Sequence, residues 1–117
     1  MAGGKPKSKY RAVRTNVDGI VFASKKEARR YCDLKILECA GEIRDLELQP
    51  AFPFSINGRK VTFPSGRQAK YIADFAYFDV VLNRRVVLDV KGMKTEIYKL
   101  KKAIVEAMFP DVVIEEC

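Results

Sequence analysis

The sequence predicts an α/β chain with the element order helix, three strands, helix, strand. Three stretches carry that expectation. Ser24-Lys25-Lys26-Glu27 opens a helical apolar period. Two runs rich in β-branched and aromatic residues lie between Tyr71 and Lys91, separated by a polar break at Asn83-Arg84-Arg85. A second helical period after Gly92 stops near Pro110 and gives way to Val112-Val113-Ile114.

Taken in order, residues 1–9 are rich in Gly, Lys, Ser and Pro and carry Lys5, Lys7 and Lys9 without an acid. They read as a flexible basic arm ahead of a single domain over 10–117. Tyr10 to Ala23, broken at Asn16-Val17-Asp18-Gly19, suggests a small hairpin. In the first helix Ser24 is the N-cap and Glu27 the N3 partner of a capping box, and Gly41 ends it after Ala40. Glu27, Tyr31 and Leu34 share a stripe, which leans Glu27 toward the packed side. Ile43, Leu46 and Leu48 approach the sheet, and Phe52 and Phe54 alternate as in a strand. Asn57-Gly58 signals a two-residue hairpin turn. Pro64-Ser65-Gly66 then breaks the chain before Arg67, Lys70 and the strand at Tyr71. In the second helix Ile97, Leu100, Ile104 and Ala107/Met108 form the expected apolar face, with Lys99, Lys102 and Glu106 outside. The last strand, with its continuous apolar run, is expected at a covered position in the sheet.

Composition sets bounds. The 117 residues are 48% hydrophobic and 32% charged, right for one modest core, and no apolar run reaches membrane-spanning length. With no signal-peptide pattern, the expected location is the cytoplasm. Cys32, Cys39 and Cys117 lack metal-ligand spacing, and the first two are expected as small core residues. Histidine is absent, which excludes Cys/His zinc sites, Ser-His-Asp triads and histidine-based nucleases. A net charge of +7, with pI near 9.4, favours a polyanionic partner such as nucleic acid. Arg59, Lys60, Arg67 and Lys70 fall on loop edges next to Asp74, where phosphate contact is the functional reading, and Lys94 joins them on the turn before the second helix.

Three charges interrupt otherwise apolar strands: Asp74, Asp89 and Lys91. Lone charges are seldom buried without partners, so these need a reason. A two-residue turn at Asn83-Arg84 would place all three on one face of an antiparallel pair. A wider loop centred nearer Leu82 would do the same and set Asp74 directly across from Asp89. A slip of one residue would send Asp74 to the opposite face. Two carboxylates forced together repel, and a hard divalent cation relieves them.

Asp74, followed a strand and a turn later by Asp89-Val90-Lys91, resembles the signature of the PD-(D/E)XK nuclease superfamily. The chain as a whole is similar to an uncharacterised family of small phage-associated proteins assigned to it. Ala73 stands where the superfamily name has Pro, and Asp89 falls within the pattern. The resemblance implies a restriction-endonuclease-like core, with a mixed central sheet flanked by helices. It implies Asp74 and Asp89 as ligands of Mg²⁺ (or Mn²⁺), with the Val90 carbonyl as a further oxygen. Lys91 would orient the attacking water or stabilise charge at phosphorus. Glu27 would join the metal site, although its capping role alone accounts for it equally well. The implied activity is metal-dependent endonucleolytic cleavage of nicked, branched or duplex DNA, including Holliday junctions, by a homodimer in the bacterial host cytoplasm. The competing readings are a catalytically inactive DNA-binding accessory protein of the same fold, and a structural oligomer whose charges are salt bridges.

Overall fold

In the computed structural model, residues 14–90 and 94–117 are described. Packing divides the chain into two units, Met1–Asp33 and Leu34–Cys117, with a helix running across the division.

In the first unit, β1 (Thr15–Val17) pairs antiparallel with β2 (Ile20–Phe22). The turn is Asp18-Gly19, with φ of +54° and +78°, the left-handed pair that a two-residue hairpin loop requires. Helix α1 (Lys25–Cys39) then starts on the expected cap: the Ser24 Oγ accepts the Glu27 N–H at 3.1 Å. Glu27 reaches back one residue further than a standard capping box, its Oε1 accepting the Ala23 N–H at 3.4 Å. Phe22 and Tyr31 pack with ring centroids 5.1 Å apart, and the Tyr31 hydroxyl donates to Asp18 at 3.1 Å. The helix ends on Gly41 at φ +81°, whose N–H donates to Glu38 O while that of Glu42 reaches Leu37 O. That pair of bonds is a Schellman cap. Cys32 and Cys39 are exposed free thiols, which corrects the expectation of core cysteines; the buried stripe passes through Ala28, Tyr31 and Leu34 instead.

The second unit is α/β with a mixed central sheet. Its strands are β3 (Ile43–Leu48), β4 (Ala51–Pro53), β5 (Ser55–Ile56), β6 (Arg59–Lys60), β7 (Lys70–Ile72), β8 (Phe75–Asp79) and β9 (Arg84–Asp89). Helix α2 (Glu96–Met108) and β10 (Val113–Glu116) follow. The sheet order is β10-β9-β8-β3: β3, β8 and β9 form the antiparallel part, and β10 lies parallel to β9 after the α2 crossover. The excursion between β3 and β8 folds on itself. β4 pairs with β7, and β5 turns into β6 through Asn57-Gly58 at φ of +52° and +78°. β10 sits at the sheet's edge, not within it; only Ile114 of its residues is buried.

One face of the sheet carries a cluster of Phe52, Phe54, Tyr71, Ala73, Ala76, Val87, Tyr98, Val105 and Ile114. Helix α2 enters it through Tyr98 and Val105, while Ile97 and Leu100 are 62% and 59% exposed. The expected apolar face is therefore rotated. Tyr98 is drawn inward because its hydroxyl finds an acceptor there, and Lys102, expected outside, pairs with the same acceptor. Thr95 caps the helix, its Oγ1 accepting the Tyr98 N–H at 3.1 Å. Among the described residues no helix is long and apolar enough to cross a membrane.

Candidate functional site

The β8–β9 register resolves the two alternatives open from sequence. Phe75 pairs with Leu88 and Asp79 with Arg84, so the connection is the wider one, Val80–Asn83, and not a turn at Asn83-Arg84. Asp79 Oδ1 closes that loop by accepting the Leu82 N–H, and Asn83 takes a left-handed φ of +57°. Continued one residue past its last pair, the register sets Asp74 against Asp89.

At that point the ladder opens. The Asp74 N–H donates to Leu88 O at 3.2 Å, while its carbonyl accepts the Gln49 N–H at 2.9 Å. Gln49 adopts φ +49° ahead of Pro50, and the Ala73 N–H donates to Pro50 O. Asp74 thus stands where the β3/β4 chain bends and is tied by backbone to both neighbours. Gln49 reaches it through the main chain; its own side chain is exposed. The Asp74 carboxylate turns toward β9, where Oδ2 accepts the Val90 N–H at 2.7 Å. That amide lies between Asp89 and Lys91, so the first carboxylate sits at the Asp89-Val90 step. Lys91 lies outside the described residues.

Asp89 has no solvent exposure. Its carboxylate accepts the Tyr71 hydroxyl through Oδ2, and its carbonyl accepts the Cys117 N–H at 3.1 Å. Burial pushes the Tyr71 phenol upward, and the adjacent Asp89 carboxylate reinforces it. Tyr98 packs against Tyr71 with centroids 6.2 Å apart and donates to Glu116 Oε2 at 2.7 Å. Its phenol is raised too, by burial first and then by Glu116. Glu116 pairs with Asp89 across the parallel strands and takes Lys94 at 2.8 Å and Lys102 at 3.3 Å. The Lys94 contact, then the Tyr98 hydroxyl, hold its carboxyl down at about 2. Two carboxylates on adjacent strands are thus bridged by two tyrosines.

Sequence reasoning missed Tyr71, Tyr98 and Glu116 as parts of this cluster. The one signal in the sequence was Tyr98, one helical turn after Lys94.

The remaining candidates are distributed as follows. Glu27 belongs to the first unit, at the N-terminus of α1, and the two aspartates belong to the second. Arg59 and Lys60 are exposed on β6, Arg67 is exposed on the segment leading to β7 and Lys70 at its first position, and Lys94 is engaged by Glu116. Asp74, Asp89 and the Val90 carbonyl are all hard oxygen donors, a set that suits Mg²⁺ with its one or two carboxylates and retained waters. Among the described residues no third Asp, Glu, Cys or His completes a ligand cluster.

Comparison with known proteins found no match among curated proteins and none among solved structures. One family matches residues 7–116, nearly the whole chain: Protein of unknown function (DUF1064). The chain belongs to that family.

Proposed function

We propose that the protein is a divalent-metal-dependent DNA endonuclease with a restriction-endonuclease-like core of the PD-(D/E)XK type. The observation that carries the reading is the seat of Asp74. Its carboxylate is anchored on the Val90 N–H, in the register that sets it against Asp89. The element order supports the same fold: an antiparallel β3–β8–β9 meander, then a helix and a parallel strand.

In this reading Asp74, Asp89 and the Val90 carbonyl would hold Mg²⁺ or Mn²⁺. A bound ion supplies a nucleophilic water at neutral pH and neutralises charge on the scissile phosphate. The chain's own residues do the rest. Main-chain bonds to Gln49 and Leu88 hold the Asp74 backbone, and the Val90 N–H holds its carboxylate. Tyr71 orients Asp89 from the core side. Lys91, next after Val90 in the sequence, would orient the attacking water. Arg59, Lys60, Arg67 and Lys70 would hold the DNA backbone. The proposed setting is the bacterial cytoplasm, acting on nicked, branched or junction DNA as a phage-type homodimer.

One observation favours a second reading. Asp89 is wholly buried, with a tyrosine hydroxyl on one carboxylate oxygen, as suits a DNA-binding accessory protein that keeps the fold without turnover. A single assay separates the two. Purified protein is incubated with supercoiled and four-way-junction DNA in Mg²⁺, in Mn²⁺ and in chelator. The expected result is metal-dependent cleavage that Asp74→Ala and Lys91→Ala each reduce at least a thousandfold. Binding without cleavage in either metal would leave the accessory protein.

A further inference from the structure

Within the second unit lies a cleft of about 450 Å³. Tyr71 and Tyr98 are its two buried lining residues, and Tyr71 is the tyrosine whose hydroxyl holds Asp89. One wall is the hairpin after β6. The Phe63 N–H donates to Arg67 O, the Gly66 N–H returns to Phe63 O, and the Arg67 guanidinium lies 5.3 Å from the centre of the Phe63 ring. The other wall is the first two turns of α2, with Ile97 and Lys101. The fold leaves apolar surface open here: Phe63 is 43% exposed and Ile97 62%. Among the described residues, Arg67, Lys70 and Lys101 carry the only charges lining the cleft, and none of the three forms an ion pair with a described carboxylate.

A concave site of this size, with apolar walls and three cations, fits one ligand chemistry well: a flat aromatic ring joined to phosphate. A base-paired duplex keeps its ring faces stacked inside and cannot lay one on Phe63. An unpaired nucleotide can. We infer that the cleft seats an unpaired nucleotide of a DNA strand, its base against Phe63 and Ile97 and its phosphates on Arg67, Lys70 and Lys101. The substrate is then DNA with a single-stranded overhang, gap or flap. This deepens the nuclease reading and rests on it, because it places the unpaired strand against Tyr71, the residue that holds Asp89.

The test measures binding in chelator, where turnover plays no part. The probes are two duplexes of equal length, one blunt and one ending in a three-nucleotide overhang with 2-aminopurine as its first unpaired base. The expected result is at least tenfold tighter binding of the overhang, with quenching of the 2-aminopurine by stacking. Phe63→Leu abolishes the quench, and Lys101→Met lowers the overhang preference about tenfold. Equal affinity for the two duplexes, or a quench that survives Phe63→Leu, overturns the inference. Metal-dependent cleavage together with equal affinities would sink this inference and leave the nuclease standing. Overhang preference without cleavage in Mg²⁺ or Mn²⁺ would do the reverse.

Discussion

At the scale of the residue, the Tyr71–Asp89 bond has the most at stake. A carboxylate with no exposure retains its charge only where donors replace water, and the tyrosine hydroxyl is one of them. Removing it by Tyr71→Phe leaves the ring's packing against Phe52 and Tyr98 in place, so the loss is confined to the hydroxyl. The expected cost is about 1–3 kcal/mol, read as a lower urea midpoint at pH 7. The pH dependence has a definite sign. Because the folded Tyr71 phenol titrates above its ordinary value near 10, its contribution is fully present below that pH. Above it the unfolded chain gives up a proton that the folded chain retains, and stability falls as pH rises. Tyr71→Phe is expected to flatten this alkaline limb, leaving the slope due to Tyr98. A variant as stable as the parent at pH 7, with an unchanged alkaline slope, would show that the hydroxyl does not support Asp89.

Between elements, Glu116 clasps β10 to α2. One carboxylate receives Tyr98 and Lys102 from the helix and Lys94 from the residue before the helix cap. Its carboxyl is held at about 2 when folded and is higher when unfolded, so its contribution is present above the ordinary carboxylate range. It is lost as pH falls from there toward 2. Glu116→Gln should therefore show a shallower acid limb in urea titrations between pH 4.5 and about 2, and an identical acid slope would refute the clasp. The same residue explains the limit of what sequence could show. Asn57-Gly58 and the Ser24 cap were legible because their physics is local: a left-handed turn and an orphan amide. The pairing of Asp74 with Asp89 was legible as far as parity reaches, but the loop Val80–Asn83 that selects the register shows little turn chemistry before Asn83. The orientation of α2 was not legible. Periodicity ranks Ile97 and Leu100 above Tyr98, whereas the fold buries the tyrosine because Glu116, eighteen positions along the chain, waits to accept its hydroxyl. Cys32 and Cys39 misled for a related reason, since a small apolar side chain sits equally well on an exposed helix face.

At the scale of the whole molecule, the net charge of +7 matters only through where its cations stand free. Arg59, Lys60, Arg67 and Lys70 are exposed on the excursion between β3 and β8 and form no ion pair among the described residues. Lys94 is different: Glu116 already neutralises it at 2.8 Å. Each cation that settles on a duplex phosphate releases condensed counterions and adds about 0.9 to the slope of log affinity against log salt. Four such contacts give a slope near −3.6, roughly, for duplex DNA in chelator. Arg67→Ala and Lys70→Ala should each flatten it by about 0.9, whereas Lys94→Ala should leave it nearly unchanged. A slope indifferent to Arg67 and Lys70 would remove that segment from the interface. A full loss at Lys94 would mean that DNA displaces Glu116, because a lysine can release counterions from the nucleic acid only once its own carboxylate has let go.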